Sequence, residues 1–213
     1  MIFMDSIEKK IARQLLDIQA VRLSPTEHFV WASGWKSPIY CDNRKILSYP
    51  QARNLVIDCF IELARKNFPE PDMIAGVATG AIAWGALLAD RLNKPFLYVR
   101  PKPKDHGTGA QIEGALIPGS KVLIVEDLIS TGGSSLSAFD CLTKAGASVL
   151  GMLAIFSYNF DVARRAFENK NCELHTLTDY DSLIEEAVAC NYVTESDMET
   201  LKQWRLMPDK WGC

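Results

Sequence analysis

Two adjacent carboxylates, Glu126 and Asp127, follow an apolar run from Val122 to Val125 and precede Leu128-Ile129 and then Ser130-Thr131-Gly132-Gly133-Ser134. Acids at the carboxyl end of a buried strand can accept hydrogen bonds from the vicinal hydroxyls of a sugar, and ligands of open α/β sheets bind at such ends. Hydroxyls and glycines just ahead of a helix offer O–H groups and unobstructed backbone N–H groups to a phosphate, which the helix start also attracts. The chemistry this set points to is the holding of a phosphorylated sugar. A buried strand followed by an ordinary loop and helix cap, with solvated acids, is the plainer alternative.

A second set is cationic. Arg100, Lys102, Lys104 and His106 stand in or beside the stretch Pro101 to Gly114, which has neither helical periodicity nor enough apolar residues to pack. Long loops of this kind in a compact domain are usually functional or disordered. Its prolines, glycines and cations suggest a mobile flap that closes over a phosphorylated substrate; a solvated surface loop is the other reading. A third stretch, Ala75-Gly76-Val77-Ala78-Thr79-Gly80-Ala81, is small enough to let backbone N–H groups approach oxygens. A tight strand-to-helix turn that needs glycine explains it equally well, and Gly76, Gly80 and Gly85 fit neither the P-loop nor the dinucleotide pattern.

These residues need a frame. Apolar strand candidates lie at Met73 to Ala78, Phe96 to Val99, Val122 to Val125 and Val149 to Phe156, with another around Leu174 to Leu177. Helices are expected over Ile82 to Leu92 and Leu136 to Lys144, the second closed by Gly146. Strands alternating with helices indicate an α/β fold with a central, mostly parallel sheet flanked by helices. Ahead of it, Ile7, Ile11, Leu15 and Ile18 recur at helical spacing. Phe29-Val30-Trp31 and Ile39-Tyr40-Cys41 read as a hairpin across a polar turn. A helix starting at Ser48-Tyr49-Pro50 places Leu55, Cys59 and Leu63 on one face and ends at Asn67-Phe68-Pro69. Near the carboxyl end, Leu183 to Ala189 and Met198 to Leu206 read as two more helices, the latter capped through Ser196 and Glu199.

Composition narrows the class. The chain has 213 residues, 48% of them hydrophobic, enough to bury a core as one domain with a small subdomain. A net charge of -3 and the lack of a Lys/Arg cluster argue against nucleic acid as a partner. No stretch is long and apolar enough to cross a membrane, and Met1 to Ala20 is too charged for a signal peptide, so a cytoplasmic location is expected. The six cysteines form no Cys-x-x-Cys pair and read as reduced thiols.

An apolar strand, Glu-Asp, three residues and then Thr-Gly-Gly-Ser resembles the phosphoribosyl-diphosphate motif of the type I phosphoribosyltransferases. Tyr98-Val99-Arg100, Lys102-Pro103-Lys104, His106-Gly107 and Gln111-Ile112-Glu113-Gly114 are similar to the catalytic loop of the orotate phosphoribosyltransferases within that family. Phe29 to Arg44 resembles their amino-terminal hood, in the branch typified by Gram-positive bacteria. The resemblance covers almost the whole chain and is weakest after about Ala154. It implies a single domain over residues 1–213, with a hood at 1–48 and a mobile catalytic loop at 101–120. It also implies transfer of ribose 5-phosphate from 5-phosphoribosyl 1-diphosphate to N1 of orotate, releasing diphosphate, in de novo pyrimidine synthesis.

The same resemblance implies roles. Arg100 holds the diphosphate, and Lys104 and His106 act on the leaving group, with Asp127 counted beside them as catalytic. Glu126 and Asp127 orient the ribose hydroxyls, and Leu128, Ile129, Ser130, Thr131, Gly132, Gly133 and Ser134 form the loop that cradles the 5'-phosphate. Ser130 also approaches orotate. Mg2+ accompanies the diphosphate with few or no protein ligands, and a homodimer shares its active sites through the loop. Tyr40 either stacks on the base, with Ser33 and Gly34 offering donors, or is a core tyrosine of the hairpin. Some members carry lysines where this chain has Gly80 or a neighbour and Ala32, and an arginine toward the base where Ser157-Tyr158 stands, so those contacts do not transfer. His28, His175, Trp204 and Trp211 read as structural. A phosphoribosyltransferase for a purine, and a regulator that senses phosphoribosyl diphosphate, are the competing readings.

Overall fold

The computed structural model describes residues 6–31, 34–68, 70–102 and 111–211. The chain divides into two compact units, Met1–Arg53 with Thr178–Cys213, and Asn54–Leu177.

The first unit begins with α1 (Ile7–Asp17), whose Ser6 caps the first turn by accepting from the Lys9 N–H; of the expected stripe it buries Ile11 and Leu15, joined by Ala12 and Leu16, while Ile7 and the C-cap Ile18 are half-buried. Two short ladders follow. β1 (Val21–Leu23), β2 (Phe29–Val30), β3 (Lys36–Ser37) and β4 (Ile39–Cys41) pair as β1 with β4 and β2 with β3, both antiparallel. The hairpin expected between Phe29-Val30-Trp31 and Ile39-Tyr40-Cys41 therefore closes earlier, on Lys36–Ser37. Pro38 has no N–H to continue that ladder, and Ile39–Cys41 turns to β1 instead. A 3-10 turn (Asn43–Ser48) leads into α2 (Pro50–Asn67).

Pro50 occupies the first helical position, where its missing N–H costs nothing. The buried face of α2 is Ala52, Val56, Ile57, Cys59, Phe60 and Ala64, with Leu55 and Leu63 only half-buried. Of the expected stripe only Cys59 is buried, and the core side of the helix is turned toward Val56, Ile57, Phe60 and Ala64.

The second unit continues with β5 (Met73–Val77), α3 (Ile82–Leu92), β6 (Phe96–Val99), β7 (Ile112–Glu113), β8 (Lys121–Ile129), α4 (Gly133–Lys144), β9 (Ser148–Ser157), α5 (Asp161–Asn169) and β10 (Leu174–Asp179). These strands form one six-stranded sheet in the order β10-β9-β8-β5-β6-β7. β5 pairs parallel with β6 and β8, β8 pairs parallel with β9, and β7 runs antiparallel on β6. The expected mostly parallel sheet is present. Its order reverses between β5 and β8, the switch point at which open sheets leave a crevice at their carboxyl ends.

One face of the sheet, through Ala75, Val77, Val122, Ile124, Met152 and Ala154, packs on Leu136, Ala138 and Leu142 of α4 and Ala163 and Phe167 of α5. α3 covers the other face. It approaches so closely that a Cβ on Gly85 would lie 2.7 Å from the Phe96 ring and 3.2 Å from the Cα of Gly76. α5 and β7 have no counterpart among the elements expected from the sequence. α5 is a nine-residue helix with only Ala163 and Phe167 fully buried, so its apolar signal is two residues wide. β7 is two residues long and depends entirely on β6 for partners.

α6 (Tyr180–Ala189) and α7 (Glu195–Leu206) return the chain to the first unit. α6 is capped by Asp179, which accepts from the Ser182 N–H, and buries Glu186 against Arg13 of α1. α7 carries a capping box formed by Thr194 and Asp197, two positions ahead of the expected Ser196 and Glu199. Threonine placed where its hydroxyl reaches the Asp197 N–H decides the start. Trp204 is fully buried, donates to the Lys36 carbonyl at 3.2 Å and packs on Trp31 and Tyr180. Trp211 lies edge-on to His28, and His175 packs on Phe68 and bonds Glu173. Cys41, Cys59, Cys141, Cys172 and Cys190 are free thiols, and burial pushes Cys172 up to about 12, leaving it unreactive. No described helix is long and apolar enough to cross a membrane.

Candidate functional site

β8 runs on to Ile129, so the two acids lie within its paired stretch. Glu126 is opposite Ala154, and Ile129 opposite Ser157. The strand outlasts its apolar run because β9 is long enough to keep pairing with it. Glu126 is only 4% exposed. One of its oxygens accepts from the Asp127 N–H at 2.9 Å and the other from the Ser135 hydroxyl at 3.0 Å. Burial first, and then the neighbouring Asp127 charge, hold Glu126 well above the ordinary carboxylate range. Asp127 is half-buried. The acids are therefore unlike: one is an internal, hydrogen-bonded group and the other faces the crevice side.

Gly132 forms the entry to α4 with φ 83°, a conformation that favours glycine. A Cβ there would also lie 2.9 Å from the Phe167 ring. Thr131, Gly133 and Ser134 are exposed around it, and Ser130 is half-buried. The first N–H groups of a helix need acceptors from outside it. α1, α6 and α7 supply side-chain caps and carry an acid in the first turn. α3 and α4 have no side-chain cap and no acid there. Both start directly after β5 and β8, the two strands at the switch point, so two open, positively polarised helix ends adjoin the crevice.

The loop after β5 closes on the acids. A methyl group at Gly80 would overlap the carboxyl group of Asp127, and the Ala78–Thr79 peptide is cis. Gly76, by contrast, is required by packing, since a Cβ there would meet the Ala81 carbonyl oxygen at 2.7 Å. Packing thus accounts for Gly76, whereas Gly80 makes room for the Asp127 carboxyl.

Arg100 follows β6. Together with Ala78 and Pro101, it lines a cavity of about 50 Å³ completed by Ser134 and Ser137 of α4 and by Val77, Val99 and Ala138. Its backbone is clamped to the returning chain. The Arg100 N–H donates to the Gln111 carbonyl at 2.9 Å, and the Gln111 side-chain amide donates to the Arg100 carbonyl at 2.8 Å. The guanidinium lies 3.6 Å from the Glu113 carboxylate.

Asp127, Gly80, Ala78, Arg100 and Ser134, remote in sequence, are thus brought together at the carboxyl ends of β5, β6 and β8. Lys104, His106 and Ser33 lie outside the described residues, and Lys102 is exposed at the edge of that segment. Tyr40 belongs to the first unit and is not a core tyrosine: it is 37% exposed, packs on Phe29 and has the Arg22 guanidinium 5.2 Å from its ring centroid. Ser157 accepts from the Asn159 N–H, and Tyr158 is buried against Phe156 and Phe160. Sequence reasoning gave no role to Ser135, Ser137 or Glu113. Ser135 carries no motif signal of its own, and Glu113 acquires its place only through the pairing of β7 with β6.

A phosphoribosyl transferase domain model matches residues 43–190. The chain is 54% identical over 203 residues to an orotate phosphoribosyltransferase of Cytophaga hutchinsonii, covering 95% of this chain and 97% of that one. It is 51% identical over 212 residues to the enzyme of that name from Porphyromonas gingivalis, covering 98% and 100%. Among solved structures, orotate phosphoribosyltransferase from Aeropyrum pernix superposes with a TM-score of 0.74 at 29% identity, covering 86% of this chain and 99% of that one.

Proposed function

Since the chain belongs to the phosphoribosyl transferase family and, within it, to the orotate phosphoribosyltransferases, we propose that it transfers ribose 5-phosphate from 5-phosphoribosyl 1-diphosphate to N1 of orotate. The products are orotidine 5'-phosphate and diphosphate, a step of pyrimidine biosynthesis. The observation that carries this reading to a site is the meeting of Gly80, Asp127, Arg100 and Ser134 at the sheet's switch point.

In this reading the open start of α4, with Ser130 to Ser134, takes the 5'-phosphate, and the loop before α3 takes the diphosphate. Asp127 accepts from the ribose hydroxyls, while Glu126, held by Ser135, fixes Asp127 through its backbone N–H. Breaking the bond from C1' to the diphosphate oxygen leaves positive charge on the sugar and new negative charge on the leaving group. A fixed guanidinium at Arg100 stabilises that arrangement more than the ground state. Lys104 and His106 are proposed to add charge and a proton to the departing diphosphate, and Tyr40 with Ser130 to contact the base. Mg2+ is proposed to travel with the diphosphate, where hard oxygen ligands suit it and it supplies further charge neutralisation. Asp127, whose carboxyl lies against Gly80 of the loop proposed to take the diphosphate, is an oxygen donor of the matching kind.

An ultraviolet assay with phosphoribosyl diphosphate and orotate, uracil, adenine or hypoxanthine offered separately tests the reading. Consumption of orotate alone is expected, and turnover of a purine in its place would overturn it. We further propose a cytoplasmic homodimer that shares its sites through the 101–120 loop. Mixing inactive Lys104→Ala and Asp127→Asn proteins should then restore part of the activity, and no recovery after proven subunit exchange would refute sharing.

A further inference from the structure

We infer that Glu113 is the resident counter-ion of Arg100, and that an incoming diphosphate exchanges with its carboxylate on the guanidinium. The inference rests on the diphosphate role proposed for Arg100 and extends it to a residue with no assigned part in the reaction. The Arg100 and Glu113 side chains are 36% and 22% exposed and lie 3.6 Å apart. That separation is longer than the 2.7–2.9 Å of a strong charge-assisted hydrogen bond. The pairing is a loose one, poorer than a guanidinium can make with two phosphate oxygens.

The backbone sets this pairing. β7 lies antiparallel on β6 with Glu113 opposite Tyr98 and Ile112 opposite Val99. The two hydrogen bonds between Arg100 and Gln111 then lock the next position of the ladder. Glu113 therefore does not reach Arg100 as a wandering surface acid; the register of a strand pair delivers it there. Arg100 also lines the cavity it shares with Ala78 and Ser134, so the carboxylate stands beside the place where a polyphosphate would bind.

Two consequences follow from charge. With the site empty, Glu113 keeps the guanidinium fork oriented and partly neutralised. With diphosphate present, the acid opposes the anion and lowers its residence, which favours release of the product. The carboxylate acts through Arg100 and has a positioning role.

The test is calorimetric titration of inorganic diphosphate with Mg2+ into the wild type, Glu113→Gln, Arg100→Gln and the double variant at one ionic strength. Glu113→Gln should bind diphosphate about two- to fivefold tighter, the range expected for losing one part-exposed ion-pair competitor. In the Arg100→Gln background the same change should give no gain. Unchanged or weaker binding in Glu113→Gln, with an unaltered melting temperature, would overturn the exchange. An equal gain in both backgrounds would also overturn it, because the effect would then be diffuse charge. If wild-type protein neither binds diphosphate nor consumes orotate, the functional reading fails. If it does both and Glu113→Gln binds no tighter, only the exchange fails.

Discussion

Glu126 is the residue whose chemistry departs furthest from its type. Its carboxyl group is buried, accepts from the Asp127 N–H and the Ser135 hydroxyl, and lies next to a second acid. Folding therefore raises its affinity for a proton above that of the unfolded chain, whose glutamate titrates near 4.5. The native state then binds more protons than the unfolded state between that value and the raised one, so this group's contribution to stability is full at lower pH and is lost as pH rises through the raised value. Glu126→Gln removes the titration and keeps the shape. Urea unfolding of both proteins from pH 4.5 to pH 8 should show wild-type stability falling with pH relative to the variant. Parallel curves would mean that Glu126 ionises in the folded protein as it does in water.

At the scale of elements, the loop from β5 to α3 is where backbone shape and chemistry meet. Gly80 makes room for the Asp127 carboxyl, which a side chain at that position would displace. Gly80→Ala can relieve the overlap by turning Asp127 away, since the clash is with a side chain and not with the sheet. Stability should change little. Misplacing a substrate-orienting group by about 1 Å is worth on the order of 10²-fold in rate, so kcat/KM for phosphoribosyl diphosphate should fall by about that factor. Steady-state kinetics beside a thermal melt separates the two effects, and a variant with wild-type kcat/KM would remove Asp127 from the role proposed for it. The open starts of α3 and α4 belong to the same scale. α1, α6 and α7 spend Ser6, Asp179 and Thr194 on their first N–H groups, and α5, which lacks such a cap, carries Asp161 in its first turn, whereas α3 and α4 have neither a side-chain cap nor an acid there.

At the scale of the whole molecule, the two chain ends form one compact unit, Met1–Arg53 with Thr178–Cys213. Trp204 is its anchor, fully buried on Trp31 and Tyr180 and bonded to the Lys36 carbonyl. Trp204→Ala removes a large packed side chain and leaves a cavity, and should lower unfolding free energy by about 3–5 kcal/mol. Denaturant titration would read that loss. A change below 1 kcal/mol would show that the carboxyl-terminal helix contributes little to this unit.

Much of the fold and of the site is written in local sequence. The Val122 to Val125 run, the Glu126-Asp127 pair and the Ser130 to Ser134 loop are contiguous, and local sequence suffices to specify a buried strand, a turn and a helix start. The strands at Phe96 to Val99 and Met73, and the helix Ile82 to Leu92, followed from periodicity for the same reason. Elements whose apolar signal is only a residue or two wide were not legible. β7 exists because β6 offers it an edge, and α5 because Ala163 and Phe167 find the sheet face. The register that puts Glu113 beside Arg100 and the contact of Gly80 with Asp127 join segments 13 and 47 residues apart, and the burial that sets Glu126 apart from Asp127 comes from strands and helices packed around it. Side-chain types and local spacing are properties of the chain, but desolvation and long-range register arise only when distant segments exclude water together, so those three relations were decided by the tertiary structure.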